Sequence, residues 1–177
     1  MASPVGSPAI QGNGPAQLKA QILAWVRAEI RDSRRAGIGI APQAVYDSTT
    51  NFALTTGLGA LRTTTITVPS GMTSAAVTVT GRVYAINPNT TGGADAAGAD
   101  YLTAQSAIAG NTSLALPILA KGSSGSTINV APVSTVLTGL VPGSTFTLTV
   151  SAKTQYASWA TNAANTVDVS GQILWFR

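Results

Sequence analysis

Ala76-Val77-Thr78-Val79-Thr80-Gly81-Arg82-Val83-Tyr84-Ala85-Ile86 alternates apolar and polar residues with a period of two, the pattern of a strand buried on one face. Val77, Val79, Gly81 and Val83 fall on one side, Thr78, Thr80, Arg82 and Tyr84 on the other. A strand with one wet face points to an antiparallel sheet, because parallel strands are usually covered on both sides. The alternation recurs in Phe146, Leu148, Val150 and Ala152 against Thr147, Thr149 and Ser151. Arg62 to Val68, Leu114 to Leu119, Thr127 to Pro132, Ser134 to Leu140, Thr145 to Lys153 and Val167 to Phe176 are further strand candidates, bounded by Gly, Pro, Ser or Asn. About seven short strands with no second helical pattern predict a mainly β fold, an antiparallel β-sandwich or jelly roll over residues 60–177. Two such sheets would bury Val, Leu, Ile and the aromatics at about 25 cal/mol per Å² of apolar surface, enough to offset chain entropy in a domain of this size.

The last of these stretches, Ser170-Gly171-Gln172-Ile173-Leu174-Trp175-Phe176-Arg177, is the most hydrophobic. Ile173 and Trp175 fall on one side and Leu174 and Phe176 on the other, so this strand wants cover on both faces. A central place in a sandwich or a subunit interface can supply it.

Upstream the character changes. Pro4, Pro8 and Pro15 with Gly6, Gly12 and Gly14 break helix and ladder alike and predict an extended arm over residues 1–15, either a disordered tail or a strap that orders on a partner. Pro15 stands where a helix would begin and Gly37 where it would stop, which predicts an amphipathic docking helix over residues 16–36. Leu18, Ile22, Trp25, Val26 and Ile30 follow steps of three and four and make one apolar face. Lys19, Arg27, Arg31, Arg34 and Arg35 outnumber Glu29 and Asp32 there and supply most of the chain's formal charge of +4. Arg31, Arg34 and Arg35, near the C-terminal end, complement the helix dipole or meet an acidic protein partner. Arginines on one short helix without interleaved aromatics make a poor nucleic-acid footprint, and no nucleic-acid partner is expected. Residues 37–59 read as a linker with room for one strand.

Composition narrows the chemistry. The 177 residues include no cysteine and no histidine, which removes disulfides, thiolate metal sites, thiol nucleophiles and the Ser-His-Asp arrangement. General base catalysis would depend on a few carboxylates, and no enzyme and no cofactor is expected. Charged residues are 9% of the chain against roughly 25% in an ordinary soluble domain, so hydroxyls and amides keep the surface wet. No apolar run approaches the length of a membrane span, no membrane insertion is expected, and Met1-Ala2-Ser3-Pro4 lacks the basic and apolar regions of a secretory signal.

Loops carry the remaining candidates. Asn89, Asp95 and Asp100 could offer oxygens to Ca²⁺ in the Gly- and Ala-rich stretch 87–100, but the EF-hand spacing is absent and a solvated loop is the better reading. Asp95 and Asp100 on a loop lack the defined separation that glycoside hydrolysis needs. Tyr84, Tyr101, Tyr156 and Trp159 are either core side chains or a surface that stacks on sugar rings; Tyr101, Tyr156 and Trp159 are the recognition candidates.

Val136-Leu137-Thr138-Gly139-Leu140-Val141-Pro142-Gly143-Ser144-Thr145-Phe146 resembles the corner between two strands of fibronectin type III-like domains, with Phe146 in place of the usual tyrosine. Arg62 to Gly71, Val77 to Val83, Asn87 to Gly93 and Leu137 to Leu140 together resemble the C-terminal domains of minor tail proteins from phages of actinobacteria. That resemblance implies a virion location, tail rather than head, and a structural part in a tail tip, fibre or appendage. It also implies a homo-oligomer, a trimer by preference, that docks on other virion proteins through residues 1–36. A capsid decoration protein and a saccharide-binding module for host recognition, with a host surface glycan as partner, are the alternatives.

Overall fold

A computed structural model describes residues 39–177; the predicted arm and helix, with Leu18, Ile22, Trp25, Val26, Ile30, Arg31, Arg34 and Arg35, lie outside the described residues. The described chain forms β1 (Ile40–Leu54), β2 (Gly59–Thr67), β3 (Ser74–Asn87), β4 (Asp100–Ile108), β5 (Asn111–Thr112), β6 (Leu116–Ala120), β7 (Ser124–Leu137), β8 (Thr145–Thr154) and β9 (Trp159–Phe176). One sheet has the order β1-β9-β3-β7 and the other β2-β8-β4, with β5 and β6 both pairing the remaining edge of β4. Every pairing is antiparallel, as the half-polar strands require. The sheets stack face to face over one core, in which Val79, Val83, Val169 and Trp175 of the first meet Ile66, Leu102, Leu148 and Val150 of the second.

Two glycines in strand interiors let the sheets approach. A Cβ on Gly81 would stand 2.5 Å from the Val150 Cγ2, and one on Gly171 would stand 2.6 Å from the Leu148 Cδ1. Gly81 pairs with Val169 and Gly171 with Val79, so adjacent positions on β3 and β9 each leave a socket for a side chain of the opposite sheet. At one edge the two layers are tied by charge. Asp47 of β1 accepts from the Arg62 Nε at 2.8 Å, the Arg62 Nη2 at 2.7 Å and the Thr64 Oγ1 at 2.8 Å, all from β2.

Three predicted boundaries move. The segment read as a linker is mostly strand: β1 pairs with β9 from Ile40 opposite Phe176 to Leu54 opposite Trp159. Pro42 and an inward Asp47 blur its alternation, and both are tolerated because β1 is an edge strand. β4 was not anticipated, since its inward row of Leu102, Ala104, Ser106 and Ile108 has small and polar residues in the middle. The two stretches predicted on either side of Val133 are one strand, β7, whose ladder with β3 slips between Val79 and Gly81; a bulge on an edge strand accommodates Pro132 there.

The segment after β7 carries the chain from one sheet to the other. Phe146, just beyond it, packs on Trp175 with ring centroids 5.9 Å apart and planes tilted by 57°. The Trp175 Nε1 donates to the Gln43 Oε1 at 2.9 Å, which satisfies the one polar atom of a ring buried between the sheets. Trp175→Ala is expected to cost about 3–5 kcal/mol, read as a lowered midpoint in denaturant unfolding followed by far-ultraviolet circular dichroism.

Candidate functional site

Asp100 opens β4 and is fully buried. A buried carboxylate survives only when its oxygens are met by donors, and here five converge. Its Oδ1 accepts from the backbone N–H of Tyr101 at 2.7 Å, Gln155 at 3.1 Å and Tyr156 at 2.9 Å; its Oδ2 accepts from the N–H of Ala157 at 3.1 Å and the Trp159 Nε1 at 3.2 Å. Burial pushes this carboxyl up, and the N–H groups of Tyr156, Ala157, Tyr101 and Gln155 more than reverse it, so its pKa lies below the ordinary carboxylate value.

The cage fixes the turn between β8 and β9 against the start of β4. Tyr156 and Tyr101 are thereby set side by side, ring centroids 6.3 Å apart and tilted by 49°. Tyr156 is 50% exposed, and Leu119 of β6, opposite Tyr101, is also exposed. Two of the three predicted recognition residues therefore come together as an aromatic surface. The third does not: Trp159 is fully buried, and its indole holds Asp100 from within the protein, so its place is in the scaffold beneath the tyrosines. Tyr84 lies on β3, outside this pair.

The loop before β4 is built inward. Asn87, buried, donates from its Nδ2 to the Gly98 carbonyl at 2.9 Å and the Ala120 carbonyl at 3.1 Å, and its Oδ1 accepts the Asn89 N–H at 3.0 Å. The Asp95 Oδ1 accepts the N–H groups of Ala97 at 2.9 Å and Ala99 at 3.0 Å. Among the described residues no three carboxylate, histidine or cysteine groups stand together as a metal site would need. Asp168, on the outer face of the four-stranded sheet, takes the Arg82 Nη2 at 2.7 Å and the Tyr46 hydroxyl at 3.2 Å. Each of the four acidic side chains of the described residues, Asp47, Asp95, Asp100 and Asp168, is thus hydrogen-bonded within the fold.

Sequence reasoning missed Asn87 and Asn165, and it read Asp100 as a carboxylate of a solvated loop where the structure buries it at the start of β4. Asn165 receives the Ile86 N–H at 2.9 Å and donates to the Phe52 carbonyl at 2.7 Å. Their partners lie from one to more than a hundred positions away along the chain, so no local spacing could have announced them.

Neither a scan against protein-family models nor a search of curated proteins returns a match for this chain.

The Arg62 hydrogen bond lowers the pKa of Asp47, with burial opposing and Thr64 reinforcing it. Both Asp47 and Asp100 therefore titrate lower folded than unfolded. Their stabilisation is complete above the ordinary carboxylate value and is lost as pH falls through the lowered folded values. With no histidine in the chain, the thermal midpoint should be flat from about pH 6 to 8 and fall below about pH 4. Asp100→Asn should cost about 3 kcal/mol at neutral pH, because the amide presents N–H to a cage of donors, and should flatten part of the acid limb in the same thermal scans.

Proposed function

We propose that this chain is a structural component of a bacteriophage virion, a minor tail protein that attaches by its N-terminal residues and displays the far end of a β-sandwich. The observation that carries the reading is the polarity of β9. This strand has Phe176 paired with Ile40 at one end, where residues 1–38 join the sheet, and Trp159 with its Asp100 cage at the other. Eighteen residues of strand separate the two ends by roughly 50 Å. A chain that enters at one end and carries the Tyr101–Tyr156 pair at the other has the layout of a part that is held and presented. The stretches resembling phage minor tail proteins fall on β2, β3, the loop after β3 and the corner after β7, within the displayed module. With the acidic side chains of the described residues hydrogen-bonded within the fold, an architectural task suits this molecule better than a catalytic one. Residues 1–36 serve as the dock, with other virion proteins and further copies of the chain, a trimer by preference, as partners.

Deleting residues 1–36 should leave the far-ultraviolet dichroism of the β module intact while abolishing its incorporation into particles. Antibody-labelled particles viewed by electron microscopy check this: label at the tail supports the reading, label over the head makes the protein a capsid decoration protein, and unlabelled particles overturn a virion location.

The Tyr101–Tyr156 surface favours a second reading, compatible with the first, in which the displayed end binds a saccharide of the host surface. Two tilted rings beside an exposed leucine suit the apolar face of a sugar. Tyr156→Ala should lower binding to host cells or to a glycan array at least tenfold with an unchanged thermal midpoint; equal binding by variant and parent removes this reading.

A further inference from the structure

The outer face of the four-stranded sheet is divided along its strands. Registers align Pro42, Leu174, Ala76 and Val136 in one row across β1, β9, β3 and β7, beside a row of Ile40, Phe176 and Ser74. Val136 is 66% exposed and Leu174 39% exposed. A shallow depression of about 580 Å³ lies over this end, lined in part by Pro42, Ala76, Val136 and Leu174. Moving along the strands, the next rows bring Gln172, Thr78 and Ser134, then Tyr46, Ser170 and Thr80. Along these rows charge first appears with the Arg82–Asp168 pair, whose Nη2 and Oδ2 are 2.7 Å apart. The outer face is therefore apolar at the end where the chain enters, with Arg177 at its rim against Gly39, and polar towards the other end.

We propose that residues 16–36 of the same chain cover this apolar end, with Leu18, Ile22, Trp25, Val26 and Ile30 against Pro42, Leu174, Phe176 and Val136. Only Gly37-Ile38-Gly39 separates that segment from Ile40, a link that spans at most about 11 Å. Its flanking glycines permit the chain to reverse onto the sheet. The surface nearest to the apolar stripe is thus the row that begins at Ile40 and Pro42, ahead of any second molecule. A helix of that length, about 30 Å, crosses all four strands, which sit about 4.8 Å apart. Helical spacing puts Arg27, Arg31 and Arg35 at successive steps of four, on the side away from the stripe. Covering the sheet therefore leaves an arginine face outward for an acidic neighbour. That last consequence rests on the docking role proposed above; the packing itself does not.

The absence of cysteine makes the contact directly readable. Full-length chain carrying Ile22→Cys, labelled with a benzophenone maleimide, is prepared in light and heavy isotopes, and the two are refolded together and irradiated. Cross-links from position 22 to peptides of β7 or β9 within one isotope are expected. Val136→Lys, at a position open enough to keep the sheet folded, should reduce them at least fivefold, while Thr149→Lys on the other sheet should not. Mixed-isotope links would assign the face to a second copy and overturn the proposal. Cross-links elsewhere, none at all, or indifference to Val136→Lys in a chain whose dichroism is unchanged would overturn it as well. Failure here leaves a virion location standing, since particle labelling reads that separately.

Discussion

β9 is the constraint on which the remaining structure depends. It runs the length of the molecule between β1 and β3 and contributes inward residues from Trp159 to Trp175. A strand in the middle of a sheet has both edges hydrogen-bonded, and its inward row must be met by an opposite layer. Gly171 and Gly81, set diagonally across the β3–β9 ladder, bring that layer close enough for Leu148 and Val150 to seat. The core is then shaped by absences of side chains as much as by their presence.

A chain with so few charges uses them where they decide geometry. Asp100 trades its hydration for five donors and in doing so sets the β8–β9 turn on the start of β4. Asp47 ties the two layers at an edge where alternation alone would leave them free to slide, because the N–H fork of Arg62 matches both carboxylate oxygens. Such groups add specificity more than bulk stability, since a charge that has lost its partners is costly inside a protein. The tyrosine surface inherits its rigidity from this cage. Neither ring is deep in the core, yet the backbone beneath both is pinned to one carboxylate.

The strands that bury a regularly alternating row of mostly apolar residues, β3 and β8, were legible in sequence because hydrophobic alternation is a local signal. β1 and β4 were not. On β1 the inward positions are Ala41, Gln43, Val45, Asp47 and Thr49, and only pairing with β9 makes them a strand. On β4 the inward Ser106 is satisfied by the Ala131 carbonyl at 2.8 Å, a contact across the sheets that no window of sequence contains. Of the candidate site, Tyr101 and Tyr156 could be named as loop aromatics, but their adjacency needed Asp100. Trp159 was misjudged for the same reason: its neighbour Tyr156 is outside and it is inside, and the cage in between makes that difference.

The two ends of β9 differ in kind as well as in place. At the Trp159 end, polar groups are buried and satisfied, so the surface above them is fixed and carries tyrosines whose amphipathic rings suit contact with a wet ligand. At the Phe176 end, the outer face shows the exposed side chains of Leu174 and Val136, a surface that water covers at a cost of about 25 cal/mol per Å² of apolar area. An apolar face at the point where the chain joins the sheet and a rigid aromatic face at the opposite point give one strand two tasks. The twist and length of a central strand make such a division possible, because residues at its ends share a rigid backbone while their surroundings are set by different partners: β1 and β3 at one end, the β4 carboxylate at the other.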